Sequence, residues 1–372
     1  MTSGGSDVVI IGGGICGIAT AYYLARSGVR STVIERDGLA SHASGFAYGG
    51  LSGGIPNGPH GNYPVIAEGM RLHRELAVAL KDETDVDTQF QDRPALKLAL
   101  SEADAADVTK HLEWQQAQPG YTVTWLNADE ARKLEPRIAP ETVGALHIEG
   151  GADVEPYRLT LALAQASERR GVTIRSGNVT DILQENGQVT GVLVDGEKLS
   201  AGWVVLAMGP WAAEASAWAG LDIPIRPLKG QIIRLRAAGE PYNYSIGHLK
   251  NYAMTKPSDG LVWCGTTEEE AGFDESKTTE SRDKIIESTL RMLPGLADAE
   301  VVLQTACLRP VAPDDRLVLG SVQGVQGLYM NTGAGRQGIM MGPAMGKIIA
   351  DLIVRGECDV LIGPYSPGRF AA

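Results

Sequence analysis

The amino-acid sequence predicts an α/β protein with a second, α+β domain, and three stretches carry this prediction. The apolar run Val8–Ile11 is followed by glycines at 12, 14 and 17, the G-x-G-x-x-G spacing of a strand, a tight turn and a helix N-terminus. A strand, a glycine-rich turn at 332–338 and a helix repeat this order near the C-terminus. The β-branched and aromatic runs after Ile223 indicate antiparallel strands of another sheet.

The N-terminal unit contains the parts of a dinucleotide-binding site in the expected order. After the glycine turn, a helix is predicted to end near Gly28 and a second strand to span 30–34. Glu35 ends this strand, 18 residues beyond Gly17, close to the separation of about 20 at which an acid hydrogen-bonds ribose hydroxyls. Backbone N–H groups at the helix start can approach a pyrophosphate. The motif predicts a dinucleotide cofactor and by itself leaves NAD and FAD open.

The composition restricts the class of function. The chain has 372 residues, 44% of them hydrophobic and 21% charged, which is long enough for two hydrophobic cores. Its formal net charge of −12 disfavours non-specific binding to nucleic acid or anionic membranes. The four cysteines are scattered, so we expect neither a metal site nor a disulfide framework. No secretory signal or membrane-spanning run is apparent, and we expect a cytoplasmic protein that acts on a small molecule.

Hydrophobic periodicity and turn residues predict the other elements. The predicted helices are 65–80, 103–116, a short capped helix opening at Asn127 and ended by Pro136, 156–170 and 282–292. The predicted strands are 93–100, 172–175, 189–194, 203–207, 231–236, 251–255, 261–266, 301–308 and 328–331, with hairpin turns at Asn186-Gly187 and Asp195-Gly196. The stretch 38–54 is predicted to be irregular. It suits close approach of the backbone to a ligand, which we favour, or a flexible surface loop.

With these stretches in place, the whole chain resembles the FAD-dependent D-amino acid oxidase superfamily, and within it the glycine oxidase and monomeric sarcosine oxidase branch. The resemblance rests on motifs that follow one another in the family's order. They are the glycine motif through Glu35-Arg36, Ala43-Ser44-Gly45, Asp153-Val154-Glu155-Pro156, the segment 204–211 ending in Gly209-Pro210-Trp211, Pro227-Leu228-Lys229-Gly230-Gln231, Leu308-Arg309-Pro310 and Gly335-Arg336-Gln337-Gly338-Ile339.

The resemblance implies FAD rather than NAD, bound in a glutathione-reductase-like Rossmann domain, and a substrate domain with a mixed or antiparallel sheet beside the flavin. On this basis we assign residues 1–82, 151–219 and 306–372 to the FAD-binding domain, and residues 83–150 and 220–305 to the substrate-binding domain. The residues expected to contact the cofactor are Gly12, Gly14, Ile15, Gly17, Glu35, Arg36, Ser41, His42, Ala43, Ser44, Gly49, Val179, Gly209, Trp211, Cys307, Gly333, Gly335, Arg336, Gln337, Gly338 and Ile339.

The resemblance also implies which residues bind a carboxylate-bearing amine while the flavin accepts a hydride from the carbon that carries the amine. Arg309 matches the arginine that binds the substrate carboxylate, a role that suits the two-pronged guanidinium. The alternative for Arg309 is a salt bridge to Asp314 or Asp315. Tyr252 matches a tyrosine whose hydroxyl helps to hold this carboxylate, and its alternative is an ordinary half-buried strand aromatic.

Arg336 and His248 complete the catalytic candidates. Arg336, in the C-terminal glycine turn, can reach the substrate or the flavin, and a phosphate or backbone contact is its alternative. His248 and, as a weaker candidate, Lys250 precede Tyr252 at an expected edge of the active site. A solvated surface position is the alternative for both.

Cys307 aligns with the cysteine that carries the flavin covalently in monomeric sarcosine oxidases. However, Leu308-Arg309-Pro310 is the glycine oxidase pattern, in which the flavin is not covalently held. Covalent attachment and a buried structural cysteine are therefore both open. Attachment through a histidine is not expected, because Phe46 stands about where covalent relatives such as dimethylglycine dehydrogenase place one.

The leading functional hypothesis is FAD-dependent oxidation of the C–N bond of a small amino acid or N-alkyl amino acid to an imine, which water hydrolyses while oxygen or another acceptor reoxidises the flavin. One alternative is an FAD-dependent 2-hydroxy acid dehydrogenase, because His42-Ala43-Ser44-Gly45 also resembles the loop of 2-hydroxyglutarate dehydrogenases. An alternative of another class is a non-catalytic flavin-binding subunit of a hetero-oligomeric dehydrogenase.

Overall fold

The structure is a computed structural model and describes residues 7–370. The strands within these residues are β1 (Val8–Ile11), β2 (Ser31–Glu35), β3 (Gly50–Leu51), β4 (Gln91–Asp92), β5 (Ala95–Ala99), β6 (Thr122–Asn127), β7 (Gly144–Glu149), β8 (Ala152–Asp153), β9 (Thr173–Ser176), β10 (Val179–Glu185), β11 (Gln188–Val194), β12 (Glu197–Ser200), β13 (Trp203–Leu206), β14 (Arg226–Arg236), β15 (Ser245–His248), β16 (Asn251–Thr255), β17 (Val262–Gly265), β18 (Glu300–Val311), β19 (Val318–Ser321) and β20 (Leu328–Thr332).

The α-helices within the same residues are α1 (Ile15–Arg26), α2 (Ala43–Phe46), α3 (Tyr63–Glu83), α4 (Glu102–Thr109), α5 (Leu112–Gln116), α6 (Ala128–Leu134), α7 (Pro156–Arg169), α8 (Ser216–Ala219), α9 (Thr279–Met292) and α10 (Gly338–Arg355). Short 3-10 helices include Gly209–Ala215, after β13, and Gly335–Gln337, before α10.

The strand β1 lies inside a six-stranded sheet with the order β19-β20-β13-β1-β2-β9, in which every neighbouring pair is parallel except β19 with β20. Val8 and Ile10 pack on one face against a core that includes residues of α1, α3, α7 and α10. Val9 and Ile11 pack on the other face against residues of β10, β11 and the 3-10 helix Gly209–Ala215. Because both faces are covered, β1 is continuously apolar, and the predicted α/β fold is confirmed.

The two predicted hairpin turns are also confirmed. Asn186 and Gly187 have φ of +52° and +76°, and Asp195 and Gly196 have φ of +50° and +86°. Positive φ at both central residues is the geometry of a two-residue type I′ turn, whose twist matches that of the flanking strands. The turns join β10, β11 and β12 into an antiparallel sheet that covers one face of the parallel sheet.

The second large sheet has eight strands in the order β18-β14-β17-β16-β15-β5-β7-β6. It is antiparallel except for the parallel pair β15 and β5, so the mixed second sheet is confirmed. One face packs with α9 and α6 into an apolar core. The division of the chain into two domains stays a prediction, and β18 crosses its boundary between residues 305 and 306.

Several predicted elements differ from the structure. The stretch 38–54 is not wholly irregular, because it contains α2 and β3. The single helix predicted at 103–116 is two helices, α4 and α5, and the break between them accompanies packing of Trp114 against Tyr63, with ring centroids 4.8 Å apart. The strands β4, β6, β7, β8, β12, β15 and β19 were not predicted. The short sequence of β7, for example, contains Gly144 and His147 among its apolar residues and has little β-branched character.

Within residues 7–370, the helical stretch Gly335–Arg355 is long and apolar enough by composition to cross a membrane. In the folded protein, 61% of the apolar part of this stretch is buried. The helix α10 packs there against α1 and α3, so it serves as a central core helix.

A buried charged cluster ties the segment after α2 to the large mixed sheet. Asp153, in β8, accepts a bond from Arg93 Nε at 3.0 Å and from Lys256 Nζ at 3.0 Å, and all three side chains are almost fully buried. Arg93 also donates to the carbonyls of Tyr242 and Thr255. The strand β8 is paired with β3, which follows Tyr48 in the chain. The cluster therefore holds the segment around Tyr48 against the sheet that carries Tyr252.

Candidate cofactor and substrate site

The glycine motif is packed so closely that side chains are excluded from it. Gly12 has φ of +114°, and a Cβ on it would lie 2.3 Å from the Ala207 carbonyl oxygen. A Cβ on Gly17 would lie 2.0 Å from the Gly12 carbonyl oxygen. These contacts bring the start of α1 close against β1 and β13.

The loop that follows β2 and the helix α2 lie over the N-terminus of α1. The Ile15 N–H donates to Ser44 Oγ at 3.0 Å, and Gly14 at the N-cap supplies no side-chain acceptor. The Ser41 hydroxyl is buried without a hydrogen-bond partner among the described residues and belongs to the wall of the same cleft. A helix N-terminus and an unpartnered hydroxyl fit a phosphate-bearing cofactor, so this part of the site accommodates FAD.

The structure brings many of the predicted cofactor residues into one cleft at the carboxyl ends of β1, β2 and β13. The predicted residues in its wall are Gly12, Gly14, Glu35, Arg36, Ser41, His42, Ala43, Ser44, Val179, Gly209 and Trp211. Ile15 and Gly17 lie just behind this wall. The other predicted residues, Gly49, Cys307, Gly333, Gly335, Arg336, Gln337, Gly338 and Ile339, lie outside it. Their cofactor roles all stay predictions.

Glu35 is oriented by backbone groups of the glycine turn and of the next loop. Its Oε2 accepts from the Gly13 N–H at 2.6 Å, and its Oε1 accepts from the Asp37 N–H at 2.7 Å. These bonds fix the carboxylate at the cleft, where its remaining lone pairs can accept from ribose hydroxyls.

We expect Glu35→Gln to weaken FAD binding about tenfold or more, because a hydrogen bond to a charged acceptor contributes about 1.5–3 kcal/mol. Equilibrium titration of the apoprotein with FAD measures this change. Glu197→Gln, on the exposed strand β12, is the matched control and should bind FAD like the parent protein. An unchanged FAD affinity in Glu35→Gln would contradict the ribose role.

The outer part of the cleft is covered by aromatic and charged side chains. The His42 and Trp211 rings lie 4.6 Å apart, and Arg36 lies 5.3 Å from the Trp211 ring. His42 bonds Asp37 at 2.9 Å and Glu275 at 3.3 Å. Glu275 comes from the segment that precedes α9, a contact that sequence reasoning missed.

Arg309, the first substrate-binding candidate, is a buried cation. It donates to Thr266 Oγ1 at 2.7 Å and to the Thr267 carbonyl at 3.1 Å, and it takes part in none of the ion pairs within residues 7–370. The alternative, a salt bridge to Asp314 or Asp315, does not occur among these ion pairs, and Asp314 pairs instead with Arg369 at 2.9 Å. The charge of Arg309 also acts on the nearby Glu268, whose carboxylate is bonded to Lys250 and Arg336 instead. A buried guanidinium without an ion-pair partner of its own is a strong site for an anionic ligand.

Two residues, Gly230 and Tyr252, lie close to the Arg309 guanidinium. Gly230 lies beneath the guanidinium, where a Cβ would come within about 2.0 Å of it. Tyr252 lies close enough for the Arg309 charge to act on its phenol. Burial raises the pKa of Tyr252 to about 12, so the phenol stays protonated and can donate to a carboxylate. Its ring packs against that of Tyr48, with centroids 3.7 Å apart and the ring planes tilted by 34°.

Arg336 lies beside a carboxylate that sequence reasoning missed. Its Nη1 donates to Glu268 at 2.9 Å and its Nη2 donates to the Lys250 carbonyl at 3.0 Å. Lys250 Nζ also bonds Glu268. Burial acts to raise the pKa of Glu268, but the Lys250 bond and the Arg336 charge outweigh it and lower that pKa. Glu268 is thus a fixed anion that binds two cations.

His248 is placed differently from the other catalytic candidates. Its strand neighbour Gly247 pairs with Tyr252, so the His248 side chain points to the opposite face of the sheet. There it is buried and bonds Asp104 in α4 at 3.1 Å. This contact favours a structural role, and the catalytic role of His248 stays an untested prediction.

Cys307 lies in β18 opposite Gly230, two residues before Arg309 and on the same face of the sheet. It is buried, and burial raises the pKa of its thiol. The Arg309 charge acts in the opposite direction but is outweighed by burial. Because the thiolate is the nucleophilic form, we predict that FAD is not covalently bound to this sulfur.

We expect the FAD to be released completely when the purified holoenzyme is precipitated with acid. All yellow colour should appear in the supernatant, and the mass of the precipitated chain should be that of the unmodified polypeptide. Cys307→Ser should behave identically. Colour that stays in the pellet of the parent protein, and leaves it in Cys307→Ser, would show covalent attachment instead.

Comparison with known proteins agrees with this geometry. The family model described as FAD dependent oxidoreductase, DAO, matches residues 7–352. The uncharacterized oxidoreductase YurR of Bacillus subtilis is 30% identical over 96% of this chain and 98% of its own length. The crystal structure of glycine oxidase from Geobacillus kaustophilus has a TM-score of 0.92 at 28% identity over 99% of both chains.

A second solved structure, iminodiacetate oxidase from Chelativorans sp. BNC1, has a TM-score of 0.89 at 29% identity and covers 97% of this chain and 98% of that one. The predicted resemblance, the enzyme class and the FAD cofactor are thereby confirmed. Because the family model covers nearly the whole chain, this protein belongs to the DAO family of FAD-dependent oxidoreductases.

Proposed function

We propose that this enzyme oxidises the C–N bond of a small amino acid or N-alkyl amino acid to an imine. The observation that carries the proposal is Arg309, a buried cation whose protein partners are the neutral oxygens of Thr266 and Thr267. A substrate carboxylate would supply the missing negative charge. The relatives named for glycine and iminodiacetate support an amine as the group that is oxidised.

The residues of the chain have separable roles in this proposal. The cleft formed by the glycine motif, Glu35 and Ser44 would hold the nucleotide part of FAD. Bound FAD supplies the hydride acceptor. Arg309 and the protonated Tyr252 would fix the substrate carboxylate and thereby set the orientation of the adjacent C–N bond, which is the contribution of proximity and orientation to catalysis.

Anaerobic mixing of the holoenzyme with a panel of amines and hydroxy acids tests this proposal. We expect at least one member of a panel of glycine, sarcosine, D- and L-amino acids and iminodiacetate to bleach the flavin absorbance. Production of ammonia or a primary amine, with a carbonyl product, then identifies the C–N bond as the bond oxidised.

The carboxylate site alone suits a 2-hydroxy acid equally well, so the same panel includes lactate and 2-hydroxyglutarate. Bleaching by a hydroxy acid while every amine is inert would replace the proposed reaction with the dehydrogenase alternative. A holoenzyme that retains FAD and is reduced by no member of the panel would instead favour the accessory-subunit alternative.

A further inference from the structure

We propose that the substrate carries a second carboxylate, which binds between Lys97 and Arg336 at the hairpin that joins β15 and β16. The substrate class would then be small amines with two carboxylates, such as iminodiacetate or aspartate. The inference rests on the proposed oxidation of a C–N bond, because Arg309 is taken to bind the first carboxylate.

The strand register places Lys97 on the same face of the sheet as Tyr252. Gly247, in β15, is paired with Tyr252 on one side and with Lys97 on the other. Neighbouring strands lie about 4.8 Å apart, so the Lys97 backbone is about 10 Å from that of Tyr252. Gly247 leaves the space between them open, and the Lys97 chain leans over it, with its Cδ 3.7 Å from where a Gly247 Cβ would be.

The cationic ends of Lys97 and Arg336 donate hydrogen bonds to the carbonyls of two consecutive residues. Lys97 Nζ donates to the Leu249 carbonyl, and Arg336 Nη2 donates to the Lys250 carbonyl at 3.0 Å. Three cations, Lys97, Lys250 and Arg336, therefore lie at the hairpin. Among the ion pairs of residues 7–370, the one carboxylate that pairs with any of them is that of Glu268, which binds Lys250 and Arg336. Lys97 takes part in none of these ion pairs.

This excess of positive charge is unusual for the molecule. The chain has a net charge of −12, yet the face that carries Tyr252 presents Arg309, Arg336 and Lys97. Positive groups gathered in a partly desolvated site attract and orient an anion. A ligand with one carboxylate would neutralise Arg309 and leave Lys97 without an ion-pair partner, because Glu268 pairs with Lys250 and Arg336.

The electrostatics of Lys97 agree with this geometry. Burial and the positive charge of Arg336 lower the pKa of Lys97 to about 8, while Asp104 and Asp107, from α4, act in the opposite direction. Lys97 therefore loses its charge as the pH rises through about 8. The preference of the free enzyme for a dicarboxylate should fall over the same range.

The test compares iminodiacetate with sarcosine, which share an N-substituted glycine and differ in whether the second substituent ends in a carboxylate. In the parent holoenzyme we expect kcat/KM for flavin reduction to be at least tenfold higher for iminodiacetate. Lys97→Met should reduce the ratio of the two kcat/KM values about tenfold, since it removes one charge-assisted contact. Lys81→Met, at an exposed position in α3, is the control and should keep the ratio.

Lys97→Arg separates charge from mere packing. The Lys97→Arg variant should keep the ratio of kcat/KM for iminodiacetate to that for sarcosine within about threefold of the parent value. This ratio should no longer fall above pH 8, because a guanidinium stays protonated there. A parent enzyme that prefers sarcosine, or a Lys97→Met variant with an unchanged ratio, would overturn the second carboxylate site while leaving C–N oxidation intact.

A binding measurement separates this inference from the proposed reaction. If no amine reduces the flavin, the proposed reaction fails, and calorimetric titration of the holoenzyme with malonate and acetate still decides whether the second site exists. Tighter binding of malonate that is lost in Lys97→Met supports the site. Equal affinities for malonate and acetate, or malonate binding that Lys97→Met leaves unchanged, overturn it.

Discussion

Replacing Arg309 with methionine is expected to reduce kcat/KM for the amine substrate between about 30-fold and several thousand-fold. Removing one partner of a buried charge pair typically costs 2–5 kcal/mol, and each 1.4 kcal/mol is a factor of ten in rate. The guanidinium is buried and its described partners are neutral oxygens, so the substrate carboxylate would lose its charged partner. Rapid anaerobic reduction of the flavin by the substrate measures the effect.

Two further variants make this prediction specific. Arg309→Lys keeps the charge but loses the two-pronged geometry, so its kcat/KM should fall between those of the parent and Arg309→Met. Arg236→Met, at the exposed end of β14, should leave kcat/KM unchanged. An Arg309→Met enzyme that retains full FAD and normal kcat/KM would remove the basis for the proposed substrate orientation.

Gly17→Ala is expected to abolish FAD retention and to lower the melting temperature by several degrees. The new Cβ would lie 2.0 Å from the Gly12 carbonyl oxygen and 3.3 Å from the Ala207 Cβ, and the Gly12 backbone cannot move aside cheaply. Overpacking in a well-packed core typically costs 1–3 kcal/mol and sometimes more. The ratio of flavin to protein absorbance after purification, together with thermal unfolding, measures both effects.

Gly295→Ala is the matched control for Gly17→Ala. A Cβ on Gly295 would meet nothing within 4 Å, so this variant should keep its FAD and its melting temperature. Purification of Gly17→Ala with a full complement of FAD and an unchanged melting temperature would show that the close approach of α1 to the glycine turn is not needed for cofactor binding.

Features encoded by neighbouring residues could be predicted reliably. The hairpin turns at Asn186-Gly187 and Asp195-Gly196 need positive φ, and their residue types tolerate it. The capping box at Asn127 places its donors and acceptors within three residues of each other, so it too was predictable. In contrast, β7 is a strand because β5 and β6 flank it, and its own sequence carries a weak signal.

The substrate side of the site illustrates the same limit. Glu268 and Arg336 are 68 residues apart in sequence, and Lys97 is 152 residues from the Leu249 carbonyl that it contacts. No local pattern relates such residues, because strand order and register alone bring them together. Likewise, His248 and Tyr252 are close in sequence, but the alternation of side chains along paired strands sends them to opposite faces of the sheet.

The sequence by itself determined the nucleotide-binding unit, from Val8–Ile11 through the glycines to Glu35, and the motif order from which FAD was predicted. It could do so because strand, turn and helix N-terminus are adjacent in the chain, where spacing and residue type dictate the geometry. Only the tertiary structure decided that Arg309 is a buried cation free of Asp314 and that Lys97 joins Arg336 at the hairpin. These facts depend on which strands pair, and pairing is set by the packing of the whole sheet.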